Sequence, residues 1–312
     1  MIFSPQSCFF EVCALNIFPD DECSQDCFGE HAVLYNQMMS RIGENLFSQK
    51  YSFMDNEQYV KLLKNADQQA YFGVANEILV NEILHRCHWV ALSGIVRTSR
   101  WVHAVVQMYK SKNLFGWAGA SRSLLESSGD ITHTTKSIPM SLSYNFEQLK
   151  LSEAGKQTQK LHDLREFEEL LIHYTHARKS GKADSEKKLD YLKPERSNKY
   201  IDALNREDLS ISEMYLNLCE LVHPAAMSVH ANFSEYDDFI SYNPRAESEH
   251  IINLNNKWRR EFCHAVEQGI NSCIMTLKVL QKFEAIDKVK GLRNTGLEHL
   301  PAWKKCQNAF AI

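Results

Sequence analysis

Twelve glycines and seven prolines are few for a chain of 312 residues. An all-β fold needs such residues at most strand reversals, so their scarcity argues against one, and equally against a collagen-like or low-complexity chain. No uncharged apolar run reaches about 18 residues, so no membrane-spanning helix is expected. The first ten residues have no basic start, and Pro5 and Glu11 interrupt the apolar stretch, so they do not read as a signal peptide. The phosphate-cradling G-x-x-x-x-G-K-[ST] loop, the dinucleotide fingerprint and the G-x-S-x-G elbow are all missing. Nucleotide hydrolysis, Rossmann-type redox chemistry and α/β-hydrolase chemistry are thereby disfavoured. Thirty-five basic against 39 acidic residues leave a net charge of −4, so no overall positive field draws nucleic acid to the protein.

What is present is helical periodicity. Val33, Leu34, Met38, Ile42 and Leu46 follow three-to-four spacing within 31–49, which predicts one helix with an apolar face. Asp55 to Gln58 has the pattern of a helix start, Asn113 is placed to cap a helix reaching Ser127, and Ser210 to Glu213 reads as a capping box. Residues 71–110 form a long helical stretch with Ser93-Gly94 as the place for a break. A further stretch, 141–178, is closed by Gly181, and a last long helix covers about 249–284. The fold expected is all-α: a helical bundle with loop insertions, one of them an aromatic, acidic loop from Phe233 to Asn243. Its divisions are an irregular Cys-containing segment at 1–30, a bundle at 31–286 with a charged linker near 182–199, and a tail at 287–312.

Nine cysteines is an odd count, and with no export signal the better reading is reduced thiols in a cytoplasmic protein. Cys8, Cys13, Cys23 and Cys27 cluster, but only the last two have a zinc-knuckle spacing, so buried free thiols are expected there. Nothing implies a cofactor. Two Glu-x-x-His pairs, Glu82 with His85 and Glu220 with His223, together with Glu44 and Glu126, have the spacing of a di-metal carboxylate bundle. Pro224 directly after His223 would bend the helix where a ligand must be held rigidly. Glu169, His173 and His176 share a helix face, but in a charged stretch that reads as solvated.

Between Glu82 and Glu126 there is no acidic residue, while Arg86, Arg97, Arg100, Lys110, Lys112 and Arg122 are interleaved with Trp89, Trp101, Tyr109 and Trp117. Stacking faces beside cations would suit RNA; packed aromatics with cations paired to distant acids are the plainer expectation. Arg122 and Glu126, four residues apart, share a helix face, and a second helix carries Tyr215, His223 and Pro224.

These positions, with the long terminal helix, resemble a widespread group of uncharacterised bacterial helical proteins that is itself similar to HEPN-type domains. The resemblance spans roughly 75–284 and implies a component of a defence or toxin system that contacts RNA or a partner protein, with a homodimer expected. HEPN ribonucleases carry an Arg-x(4–6)-His pair, in which His moves a proton and Arg stabilises phosphorane charge. Arg97/His103, Arg245/His250, Arg259/His264 and Arg293/His299 have that spacing, four pairs against about 1.6 expected by chance. Arg259 and His264 are the best placed, although Glu261 between them would repel phosphate. If the protein is a nuclease, the candidate catalytic residues are Arg122, Glu126, His223, Arg259 and His264. If it is an interaction module, Arg122, Glu126 and His223 form a structural network between helices.

Overall fold

In the computed structural model of the chain, the described residues are 16–19, 22–64, 67–177 and 192–310. Helices dominate: α1 (Glu22–Phe28), α2 (Glu30–Met39), α3 (Asn56–Leu63), α4 (Gln68–Lys110), α5 (Leu114–Thr135), α6 (Ile138–Tyr144), α7 (Phe146–Glu153), α8 (Arg165–His176), α9 (Ser197–Leu204), α10 (Ile211–Val222), α11 (Ala226–His230), α12 (Ala246–Leu280) and α13 (Pro301–Phe310). The fold is all-α. Among the described residues the one sheet is an antiparallel hairpin, β1 (Phe233–Glu235) with β2 (Ile240–Tyr242), in the stretch expected to be a loop. No described helix is long and apolar enough to cross a membrane.

The frame is three long helices, α4, α5 and α12, packed on one another. Their facing side chains, including Val102, Val105, Trp117, Leu124, Phe262 and Ile270, are buried. Apolar surface removed from water at about 25 cal/mol per Å² is what holds this layer together. Helix α4 runs unbroken through Ser93-Gly94, for about 65 Å at 1.5 Å per residue. Gly94 is there for clearance: a Cβ on it would meet Cys273 Sγ at 2.7 Å and Ile131 at 3.2 Å, so its absence lets α4, α5 and α12 approach closely. Gly129 does the same for α9, since a Cβ there would sit 2.2 Å from the Tyr200 carbonyl oxygen.

Two expected caps form, with Asp55 accepting from the Gln58 amide at 2.8 Å and Asn113 from the Gly116 amide at 2.8 Å. The capping box at Ser210 does not form. Glu213 is drawn instead to Lys257 Nζ at 3.0 Å, and the Ser210 amide donates to Glu261 at 3.2 Å.

Other boundaries also differ. The helix expected over 31–49 ends at Met39 and resumes as a 3-10 turn, Glu44–Ser48. Its buried side is Ala32, Tyr35, Met38 and Met39, with Leu34 exposed. The stretch 141–178 divides because fully buried Asn76 captures the intervening chain. Its amide donates to the Gln157 and Lys160 carbonyls at 2.9 and 2.8 Å, and its oxygen accepts from the His162 amide at 2.9 Å. Gly155, at φ +67°, makes the exit from α7. Gly181 and linker residues 182–191 lie outside the described residues, and 197–199 belong to α9 rather than to a linker.

Both flanking segments contribute to the core. Residues 287–312, read as a tail, hold two 3-10 turns and α13, which packs on α6 and buries Trp303 and Cys306. In the segment read as irregular, α1 is helical and Ile17, Phe18 and Phe28 are buried. Asn36 fixes this entry by bonding both the amide and the carbonyl of Phe18 at 3.0 Å.

Candidate functional site

The helix face carrying Arg122 and Glu126 meets α10, and the stretches around residues 122 and 223 come together. Arg122 Nε donates to Glu126 Oε1 at 3.1 Å, and Arg122 Nη1 lies 3.0 Å from His223 Nε2. Buried Tyr215 completes the group by donating its hydroxyl to Glu126 Oε1 at 2.6 Å, with the guanidinium 5.8 Å from its ring centre. Arg122 and Glu126 side chains are 24% and 30% exposed, and His223 is exposed, so the network lies at the surface of the α5–α10 seam rather than inside it.

The local reasons are simple. The i, i+4 spacing aligns Arg122 with Glu126. Pro224 cannot continue α10, so His223 takes extended backbone (φ −92°, ψ 161°) as the helix ends beside Arg122. Burial and the Glu126 carboxylate push the Tyr215 hydroxyl up to about 12, so it is a donor at neutral pH. Desolvation opposes the charge on Arg122, but Tyr215 and Glu126 outweigh it and raise its pKa, so it stays a cation. His223 therefore faces a guanidinium and accepts from it through Nε2.

Arg259 and His264 are not brought together as a pair. Arg259 donates to the Asp26 carbonyl at 2.8 Å and to Asn256 at 3.0 Å on the exposed side of α12. His264 is buried, with Nε2 at 3.1 Å from the Leu204 carbonyl, and burial lowers its pKa. Five residues along an α-helix turn through about 500°, which points the two side chains in different directions. Both nevertheless line one cleft of about 400 Å³.

The aromatic and basic stretch divides between the core and the surface, where Arg100, Trp101, Lys110 and Lys112 are exposed. Trp117 is fully buried, Tyr109 nearly so, and Trp89 packs against Tyr51, Phe53 and His176. Arg97 pairs with Asp130 at 2.8 Å, Arg86 lies over the Phe53 ring, and Arg122 is in the network above. The plainer expectation describes Trp117, Tyr109 and Arg97.

The di-metal arrangement does not form either. Glu82 accepts from the Met54 amide at 2.6 Å, His85 lies 3.3 Å from the Ala285 carbonyl, and Glu126 and His223 are both engaged with Arg122. Among the described residues no three metal-ligand side chains converge. Cys23 and Cys27 share a turn of α1 with Cys27 in the core, while Cys8 and Cys13 lie outside the described residues. Glu169 and His176 are exposed as expected, whereas His173 is buried at 3.3 Å from the Tyr200 hydroxyl.

A cluster that the spacing arguments missed joins His31 of α2 to Glu267 of α12 at 2.8 Å, beside Cys263. Its members are 236 residues apart, and the one local signal was Cys263 and Glu267 at i, i+4. No family model, curated protein or solved structure matches this chain. The HEPN resemblance therefore rests on Arg122, Glu126, Tyr215, His223, Pro224 and the long last helix.

Proposed function

We propose that the protein is an interaction module that binds a partner protein through the flank formed by α10, α11 and the β1–β2 hairpin, with the Arg122 network fixing that flank to the bundle. One observation carries the reading. Of the twenty large apolar side chains exposed among the described residues, nine fall between 216 and 242: Leu216, Val222, Met227, Val229, Phe233, Tyr236, Phe239, Ile240 and Tyr242. A concentrated apolar surface of this kind marks a binding region more often than scattered exposure does. Glu235, Asp237 and Asp238 beside the stacked Tyr236–Phe239 pair set a negative charge on the hairpin, which disfavours a phosphate backbone and suits a protein.

The test is site-specific photocrosslinking in cells, with p-benzoylphenylalanine at Tyr236 and, as control, at the more exposed Tyr144. The expected result is a discrete conjugate from Tyr236 alone, at twice the chain mass if the partner is a second copy. Equal or absent conjugates from both positions overturn the proposal.

A second reading, a HEPN-like RNA-cleaving component of a bacterial defence or toxin system, is favoured by the exposed His223 placed 3.0 Å from Arg122. In it His223 moves the proton of the attacking 2′-hydroxyl, Arg122 meets the phosphorane charge, and Glu126 orients Arg122. Cleavage of single-stranded RNA that disappears in His223→Ala and in Arg122→Ala, both folded, would establish it. Undiminished cleavage in either, or none in the wild type, removes it.

A further inference from the structure

The cleft at the junction of α1, α2 and α12 holds a thiol, an imidazole and a carboxylate. His31, in the first turn of α2, meets Glu267 Oε1 through Nε2 at 2.8 Å, and both side chains are one-third exposed. Cys263 sits one turn before Glu267 on the same face of α12, with Sγ 3.3 Å from the Phe28 carbonyl oxygen. Cys263 lines the same cleft as His31 and donates its thiol hydrogen to that carbonyl, and the influence of Cys263 and Glu267 on the His31 ring holds its pKa up at about 10. His31 is thus a protonated acid at neutral pH, steadied by a carboxylate in a cleft that the sulfur also lines.

The walls add charge. Arg206 and Arg260 share one carboxylate, Asp208, at 2.9 and 3.0 Å, and Arg259 is bonded to a carbonyl and an amide side chain. Three guanidiniums against the carboxylates of Asp208 and Glu30, with Glu267 paired to His31, leave the cleft positive by one charge. His264 lines it as well, with its buried Nδ1 lacking a hydrogen-bond partner.

We propose that this cleft is an acyl-transfer site in which Cys263 is the nucleophile, His31 the proton carrier and Glu267 a positioning residue, acting on an activated ester or thioester that bears an anionic group. Sulfur attacks the acyl carbon, so an S–C bond forms as the bond from that carbon to the leaving oxygen or sulfur breaks. His31 gives its proton to the leaving group, which departs as the alcohol or thiol, and takes the proton of the Cys263 thiol. Water then attacks the acyl carbon, releases the carboxylic acid and returns the hydrogen to sulfur. Negative charge developing on sulfur is stabilised by the adjacent imidazolium, and the arginines seat the anionic end of the substrate.

The probes are 4-nitrophenyl acetate and its anionic counterpart, mono-4-nitrophenyl succinate, mixed with the full chain. The expected result is a burst of about one equivalent of nitrophenolate, faster with the succinate, with the acyl mass on the peptide containing Cys263. His31→Asn slows the burst by about tenfold or more, and Glu267→Gln slows it without lowering its amplitude, while Cys219→Ser changes nothing. No burst, or an acyl mass on Cys23 or Cys219, overturns the proposal, and this mapping needs no variant to fold. Equal rates for the two esters overturn the anionic preference. None of these readings depends on what the hairpin binds.

Discussion

The α4–α5–α12 layer and the flank from α10 to the hairpin are made of the same kinds of apolar residue, and they use them oppositely. In the layer, Trp117 packs edge-on against Phe262 and both are completely buried. In the flank, Phe239 stacks on Tyr236 with 59% and 56% of each residue open to solvent. An aromatic inside the layer gains dispersion contacts on every side and loses all its water. One on the hairpin gains a single neighbour, and a two-stranded hairpin is marginal without further packing. Stability is therefore concentrated in the layer, and surface free to bind in the flank.

The largest effect expected is on the layer itself. Trp117→Ala should cost about 3–5 kcal/mol, read from urea unfolding, because the cavity is walled by three rigid helices. A cost below about 1 kcal/mol would mean that the layer is not the stabilising unit.

Next comes acid sensitivity. His88 of α4 is fully buried, lies with Nδ1 at 2.8 Å from the Tyr51 hydroxyl, and is driven down to about 4 by burial and then by His85. Its folded pKa lies below the unfolded value, so its contribution is present above pH 6.5 and lost as pH falls toward 4. The loss is about 3 kcal/mol over that window. His88→Asn should flatten the stability–pH curve there, and an unchanged slope would contradict the burial argument.

The seam between the two regions should be weaker. Arg122→Ala is expected to cost about 1–2 kcal/mol and Tyr215→Phe about 1, less than for a fully buried charge network, because water reaches Arg122 and Glu126. Proteolysis within 223–245 should quicken in Arg122→Ala if the network anchors the flank; an unaltered cleavage rate argues that it does not. The smallest effect is on the hairpin, where Phe239→Ser should change stability by no more than about 0.5 kcal/mol while abolishing the crosslink at Tyr236. A large loss of stability would turn the hairpin from a binding surface into a part of the core.

Legibility followed the range of the interactions. Asp55 and Asn113 were readable as caps because a cap needs only the next three residues. Ser210 matched the same pattern and failed, because Glu261 of α12, fifty-one residues away, takes its amide. The division of 141–178 was invisible for a similar reason, its cause being Asn76 on another helix. Arg122 with Glu126, and Tyr215 with His223, each stood out on their own helices, and the structure places the two groups in hydrogen-bond contact. What the pattern did not carry was their depth, since amphipathic spacing says which face turns inward and not how far water follows it.

The order of apolar and polar residues, with few glycines and prolines, by itself determined that this chain is a set of amphipathic helices, because helix formation is decided over a few turns of neighbouring sequence. Which faces meet, that Gly94 gives clearance rather than a break, and that His31 reaches Glu267 across more than two hundred residues were decided only by tertiary packing. Those contacts form between surfaces that no local window contains, and they are selected by the fit of the whole core.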